Sequence, residues 1–176
     1  TLIDLTTLSG DDTYGKVDRL CQKALNPISY KILSKLGISS DTLKVGAVCV
    51  YHNLVKQAKK NLKDMIPVAA VSTGFPAGLS SFETRKKEIL NSIKDGANEI
   101  DIVINRSFVL QNEWQKLYKE VKSFKEAAKD IKIKAILGVG DLETMRNVAK
   151  ASLVCMLAGA DFIKTSTGKE NTNANL

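Results

Sequence analysis

Six short apolar segments, separated by stretches of helical period, constrain the fold of this chain more than any other feature. Leu2 to Thr6, Val45 to Tyr51, Val68 to Ser72, Glu99 to Asn105, Ile131 to Leu137 and Phe162 to Thr165 read as strands. Between them, Val17, Leu20, Cys21 and Ala24 follow the i, i+3, i+4, i+7 rule, as do Val55, Ala58, Leu62 and Met65 with one register step. Trp114, Leu117, Tyr118, Val121 and Ala128 make another apolar stripe, and Leu142, Met145, Val148, Ala149, Ser152 and Met156 a further one. A weaker helical pattern between Ser80 and Gly96 has Ser80 or Ser81 as N-cap and Gly96 as stop. The later strands recur at about the thirty-residue length of a βαβ unit, which predicts parallel strands joined by right-handed crossovers. Nothing in the composition marks a second domain, so residues 1–176 are expected to form one α/β domain.

A dinucleotide-binding sheet would carry G-x-G-x-x-G after its first strand, and "DLTTLSGDD" does not supply it. "GVGD", Gly138 to Asp141, has two glycines without the third and reads as a tight strand-to-helix turn. A (β/α)8 TIM barrel fits better, with about the first six βα units present and strands seven and eight absent.

Strands covered by helices on one side of a barrel alternate in what they bury. In "EIDIVIN", Ile100, Ile102 and Ile104 point one way and are expected to meet the helices, which turns Glu99, Asp101, Val103 and Asn105 into the lumen. The same alternation turns Asp4 and Thr6 inward against Ile3 and Leu5, sets Lys132 and Lys134 against Ile131, Ile133 and Ala135, and sets Lys164 against Ile163 and Thr165. Two aspartates and at least one further lysine thus converge with Lys164 on one lumen. Buried charges cost several kcal/mol unless paired, so these residues form either a structural network or a site. Charges near the C-terminal ends of barrel strands favour the site.

A lysine near other cations and away from water has its pKa lowered, and the free amine is a nucleophile toward carbonyls. The imine formed with an aldehyde withdraws electrons from the adjacent carbon and permits a C–C bond to form or break there without a metal. Proton transfer needs a carboxylate, for which Asp101 is placed best and Asp4 second. "TSTGK" is too short for a Walker A loop, yet Gly168 and its hydroxyl neighbours could let backbone N–H groups approach a phosphate.

Composition narrows the alternatives. With 44% apolar and 26% charged residues the chain reads as globular, and no apolar run approaches the roughly 20 residues needed to cross a bilayer. The N-terminus does not read as a signal peptide, which points to the cytoplasm. Cys21, Cys49 and Cys155 lack a C-x-x-C pair and read as free thiols, and the single histidine, His52, excludes a multi-histidine metal centre. The net charge of +7 falls mostly on outward helix faces such as "KQAKKNLKD", so no nucleic-acid partner is expected, whereas a phosphorylated small substrate suits a basic field.

"IDLTTLSGDDT", "VCVY", "GFPAG", "EIDIVINRS" and above all "AGADFIKTSTGK" resemble, in order and along essentially the whole chain, the deoxyribose-phosphate aldolase family. The resemblance implies a class I aldolase without cofactor or metal, acting on a phosphorylated sugar and small aldehydes, and it leaves room for a homo-oligomer. It implies Lys164 as the Schiff-base lysine and Asp101 in proton relay. It puts Asp4, Thr6, Cys49, Lys134 and Thr165 around the substrate, with Gly168 and Lys169 beside the phosphate. Where many members carry a glutamate and a threonine after the fifth strand, this chain has Gly138 and Val139, so a role for that glutamate does not carry over. A seventh-strand "GFKPAGG" lysine and an eighth strand do not occur in the 176 residues, so the chain by itself is expected to be unstable or inactive. Another imine-forming aldolase, or a truncated barrel that persists as a binding module, are the competing expectations.

Overall fold

The computed structural model describes residues 3–39 and 43–174, and it arranges six parallel strands in sequence order. The strands are β1 (Asp4–Thr6), β2 (Ala47–Tyr51), β3 (Val68–Ser72), β4 (Glu99–Val103), β5 (Lys132–Ile136) and β6 (Phe162–Lys164). Each lies inside the segment expected from sequence, shortened at its ends or, for β3, identical to it. Leu2, expected at the start of the first strand, lies outside the described residues. The helices are α1 (Tyr14–Leu25), α2 (Tyr30–Leu36), α3 (Val55–Leu62), α4 (Phe82–Lys94), α5 (Arg106–Leu110), α6 (Trp114–Ala128) and α7 (Met145–Leu157). Among the described residues, no helix is long and apolar enough to cross a membrane.

Most helix boundaries follow from local chemistry. Thr13 and Thr144 accept the Lys16 and Asn147 backbone N–H groups and so cap α1 and α7. Gly96 follows the end of α4 with φ +102°. The α3 stripe ends at Leu62, so Met65 falls beyond the helix and is exposed. "GVGD" forms a single 3-10 turn over Val139–Asp141. Helices α2 and α5, of 7 and 5 residues, were not expected, because so few residues do not display a helical period.

The two faces of the sheet differ in size of side chain. Val48, Val50, Val68, Ile100, Ile102, Ile104, Ile133 and Leu137 pack outward against α1, α3, α4, α6 and α7 and make the main core. The inner face is lined by the small residues Ala47, Cys49, Ala69 and Val71. Four strand intervals of about 4.8 Å would hold β1 and β5 roughly 19 Å apart in a flat sheet. Yet Lys134 Nζ on β5 lies 2.7 Å from Asp4 Oδ2 on β1. The sheet is therefore curled into part of a barrel, with these inner residues facing its lumen.

Side chains set the strand register where the ladders begin. Asn98 Oδ1 accepts the Val68 N–H at 3.0 Å, tying β3 to β4. Asp161 Oδ2 accepts the Ile133 N–H at 2.8 Å and lies 2.7 Å from Lys125 Nζ, tying β5 and β6 to α6. At the opposite end, the ends of β3 and β4 converge on Arg85 of α4, which is only 2% exposed. Its guanidinium donates to Glu120 on α6 at 2.6 and 3.0 Å, to Thr73 O at 3.1 Å and to Val103 O at 2.9 Å, and it stacks over Phe124 at 5.0 Å.

Removing one partner of a buried ion pair leaves the other charge uncompensated. We therefore expect Glu120→Leu to destabilise the protein by about 3–5 kcal/mol in urea unfolding. An exposed change such as Lys86→Ala stays within about 0.5 kcal/mol, and equal effects for both would show that the pair does not clamp this end of the sheet.

Candidate active site

Four strands contribute charge to the lumen, joined through Asp101 and Lys134. Asp101, in the middle of β4, is completely buried. Its Oδ2 accepts a hydrogen bond from Lys164 Nζ at 2.7 Å, and Lys134 Nζ lies 3.2 Å from Oδ1. Lys134 also reaches Asp4 Oδ2 at 2.7 Å and Glu99 Oε2 at 2.9 Å. The contact between Lys134 and Oδ1 is an ion pair without hydrogen-bond alignment, so that oxygen has no hydrogen-bond partner among the described groups. Asp101 Oδ1 is thus buried beside the Lys134 ammonium with its hydrogen-bonding capacity unused.

Alternation along each strand accounts for this convergence. Ile100 and Ile102 take the helix side, Asp101 is forced to the other, and its neighbour in register on β5 is Lys134. Lys164 ends β6, whose short ladder pairs it with Ile136. Asp4 begins β1, while Asp101 and Lys134 lie mid-strand. Only Lys164 of the four is therefore at a C-terminal strand end, where the sequence reading expects charges from several strands. Lys132, on the same side of β5 as Lys134, is exposed with its ammonium over the Phe162 ring.

The protonation states follow from burial set against pairing. Burial pulls Lys164 toward the neutral amine, but the Asp101 charge and hydrogen bond outweigh it and hold the pKa above its ordinary value of 10.5. This reverses the expectation of a lowered value, because the nearest charge to Lys164 is an anion and Lys134 opposes it only weakly. Lys134 is likewise pulled down by burial and then held well above the ordinary lysine range by Asp101, Asp4 and Glu99. Its contribution to stability is complete below the unfolded lysine value and is lost only as pH rises toward the raised one. Cys49 Sγ lies 3.9 Å from Asp101 Oδ2, and burial, reinforced by that carboxylate, pushes the thiol up to about 12. Cys49 is therefore a neutral thiol at physiological pH.

A half-open cavity of about 510 Å³ borders the lumen, lined in part by Asp4, Thr6, Glu99, Lys134, Phe162 and Lys164. Thr6 is exposed, and its hydroxyl donates to Asp4 O at 3.3 Å. Thr165, Gly168 and Lys169 follow β6 on the C-terminal face and do not line that cavity. The Thr165 carbonyl accepts the Val139 N–H at 2.9 Å, and Lys169 borders a separate cavity of about 290 Å³ with Arg106, Asp141, Thr167 and Glu170. Sequence reasoning turned Glu99 inward but gave it no role, and it passed over Arg106 and Glu170. The parity of Glu99 with Asp101 was the available signal for the first; the other two depend on how separate loops meet.

A family model described as DeoC/LacD family aldolase matches residues 1–176. The deoxyribose-phosphate aldolase of Mus musculus is 52% identical over 99% of this chain and 56% of its own length, and that of Homo sapiens is 51% identical with the same coverage. The chain therefore spans about half the length of the curated relatives it matches. Among solved structures, QR15, an aldolase, is 28% identical with a TM-score of 0.82, over 98% of this chain and 70% of that one. The tetrameric deoxyribose phosphate aldolase of Aeropyrum pernix, at 23% identity, shares the fold with a TM-score of 0.74 over 94% of this chain and 63% of that one. Agreement along the full chain, in sequence and in the curl of the sheet, places this protein in the DeoC/LacD family of aldolases.

Proposed function

We propose that this chain supplies the first six βα units of a single eight-stranded barrel domain, and that the protein is a class I aldolase. The reaction is the reversible cleavage of 2-deoxy-D-ribose 5-phosphate to acetaldehyde and D-glyceraldehyde 3-phosphate. The observation that carries this reading is the Lys164 amine, held 2.7 Å from the fully buried Asp101. The names of the mammalian relatives support the substrate.

In the synthetic direction, the neutral Lys164 Nζ adds to the acetaldehyde carbonyl carbon, and the carbonyl oxygen leaves as water after protonation. The resulting iminium draws electrons from the methyl carbon, which loses a proton to give an enamine. That carbon attacks the aldehyde of glyceraldehyde 3-phosphate, the new alkoxide takes a proton, and hydrolysis of the iminium frees Lys164. Cleavage runs the same steps backward. Asp101 is the proton acceptor and donor, since it touches the amine and keeps Oδ1 free of hydrogen bonds.

Asp4, Thr6 and Lys134 line the reacting end of the pocket in this scheme, with Cys49 beneath it. Thr165, Gly168 and Lys169 take the substrate at the mouth, the last two beside its phosphate. A neutral amine requires a lower pKa than Asp101 imposes in this chain. Three carboxylates, Asp4, Glu99 and Asp101, face two lysines in the described lumen, so a further cation is accommodated there. The seventh-strand lysine implied by the family resemblance fits that need and would push the Lys164 pKa down. The reading further places the enzyme in the cytoplasm, in the breakdown of deoxyribonucleotide sugar, with no metal required. An assembly of identical chains is compatible with it, as in the tetrameric relative.

Borohydride reduction in the presence of acetaldehyde, followed by mass mapping of the protein encoded by the full reading frame, is expected to label Lys164. Lys164→Arg keeps the charge and loses the label, because guanidinium does not add to carbonyls at neutral pH. Label on another lysine, or turnover that survives the substitution, would overturn the assignment. Asp101→Asn is expected to retain trapping at Lys164 while turnover falls by about 10²–10⁴. A loss of trapping equal to the loss of turnover would contradict a role in proton transfer.

A further inference from the structure

The turn that follows β6 takes its shape from a side chain that no motif marks. The Thr167 N–H is shared between both carboxylate oxygens of Glu170, at 3.0 and 3.2 Å. Within the loop so closed, the Lys169 N–H donates to Thr167 Oγ1 at 3.0 Å. Between them Gly168 adopts φ +80°, in the left-handed region that a glycine enters without strain. A Cβ added to Gly168 would meet nothing within 4 Å, so the backbone of the turn faces open space. Outside the loop, Asn173 Nδ2 donates to Glu170 O at 3.1 Å, and the Ala174 N–H donates to Ser166 Oγ at 3.1 Å.

The Glu170 carboxylate also occupies ground that another strand leaves vacant. A Cβ at Gly138, just beyond β5, would lie 3.1 Å from Glu170 Oε1 and 2.8 Å from Arg106 Cδ. Any larger residue at 138 would displace one of these side chains. Arg106 is itself fixed, with Nε 3.1 Å from Asp141 Oδ2. Glu170 therefore packs between the turn after β6 and the turn after β5, close to two charged side chains of the catalytic face.

We propose that Glu170 is a positioning residue that holds the Thr167–Lys169 backbone in the shape that receives the phosphate of the substrate. The identity of the phosphate carrier rests on the aldolase reading above; the shape of the turn does not. A carboxylate beside an anion site repels the anion, while its hydrogen bond to Thr167 preserves the site, so the two effects have opposite signs. Glu170→Gln removes the charge and keeps an acceptor oxygen. Glu170→Ala removes both.

The test is calorimetric titration of inorganic phosphate into the protein encoded by the full reading frame that carries this chain, with acetaldehyde trapping at Lys164 run in parallel. Glu170→Ala is expected to bind phosphate about fivefold or more weakly than Glu170→Gln, the effect of losing one such hydrogen bond once the charge is absent from both. Glu170→Gln is expected to bind phosphate as well as the parent or better, and trapping at Lys164 to stay unchanged in both variants. Three outcomes would each overturn the proposal: no phosphate binding by the parent, equal binding by the alanine and glutamine variants, or loss of trapping with alanine. Phosphate binding in the expected pattern, in a parent that forms no imine, would keep the role of Glu170 and remove the aldolase reading.

Discussion

The lumen is organised by one buried carboxylate shared between two lysines. A fully buried Asp101 is tolerable only when compensated, and Lys164 and Lys134 supply that compensation from β6 and β5. Lys134 in turn draws in Asp4 from β1 and Glu99 from β4. The same contacts that neutralise the charge also require the sheet to curl, because β1 and β5 meet across it. Fold and site therefore share a cause: the pairing that makes the charges bearable brings an amine and a carboxylate together at the end of β6.

The helix side of the sheet contributes stiffness to this arrangement. Large aliphatic residues fill the outer layer, while alanine, cysteine and valine leave the inner face open. Two residues beyond Asp101, the Val103 carbonyl is held by both Arg85 and Thr73. The strand carrying Asp101 is thus fixed at its C-terminal end, and the loops beyond it can vary without moving Asp101. Such a division suits barrel enzymes, in which rigid strands hold the chemistry and loops receive the substrate.

Much of this was legible in the sequence because it depends on parity and spacing. The alternation of "EIDIVIN" put Asp101 inside, and the same reading of "IKIKAIL" and "DFIKTS" put Lys134 and Lys164 beside it. What parity cannot give is distance across a curled sheet, and so the sign of the Lys164 shift does not follow from it: the amine lies closest to Asp101, not to another cation. Arg85 and Glu120 stand among the many charges of amphipathic helices, and their pairing depends on how α4 packs against α6. Glu170 was illegible for a related reason, since its place depends on the missing side chain at Gly138, some thirty residues earlier and on another strand's turn. Helices α2 and α5 are too short to announce themselves by period.

The coupling between Asp101 and Lys164 is the central claim, and a site-specific titration tests it most directly. The Lys164 amine can be followed by NMR against pH in the protein and in its Asp101→Asn variant. With the carboxylate charge removed, burial and Lys134 both act to lower the amine, so its pKa is predicted to fall in the variant. A Lys164 titration that does not move when Asp101 loses its charge would contradict the account.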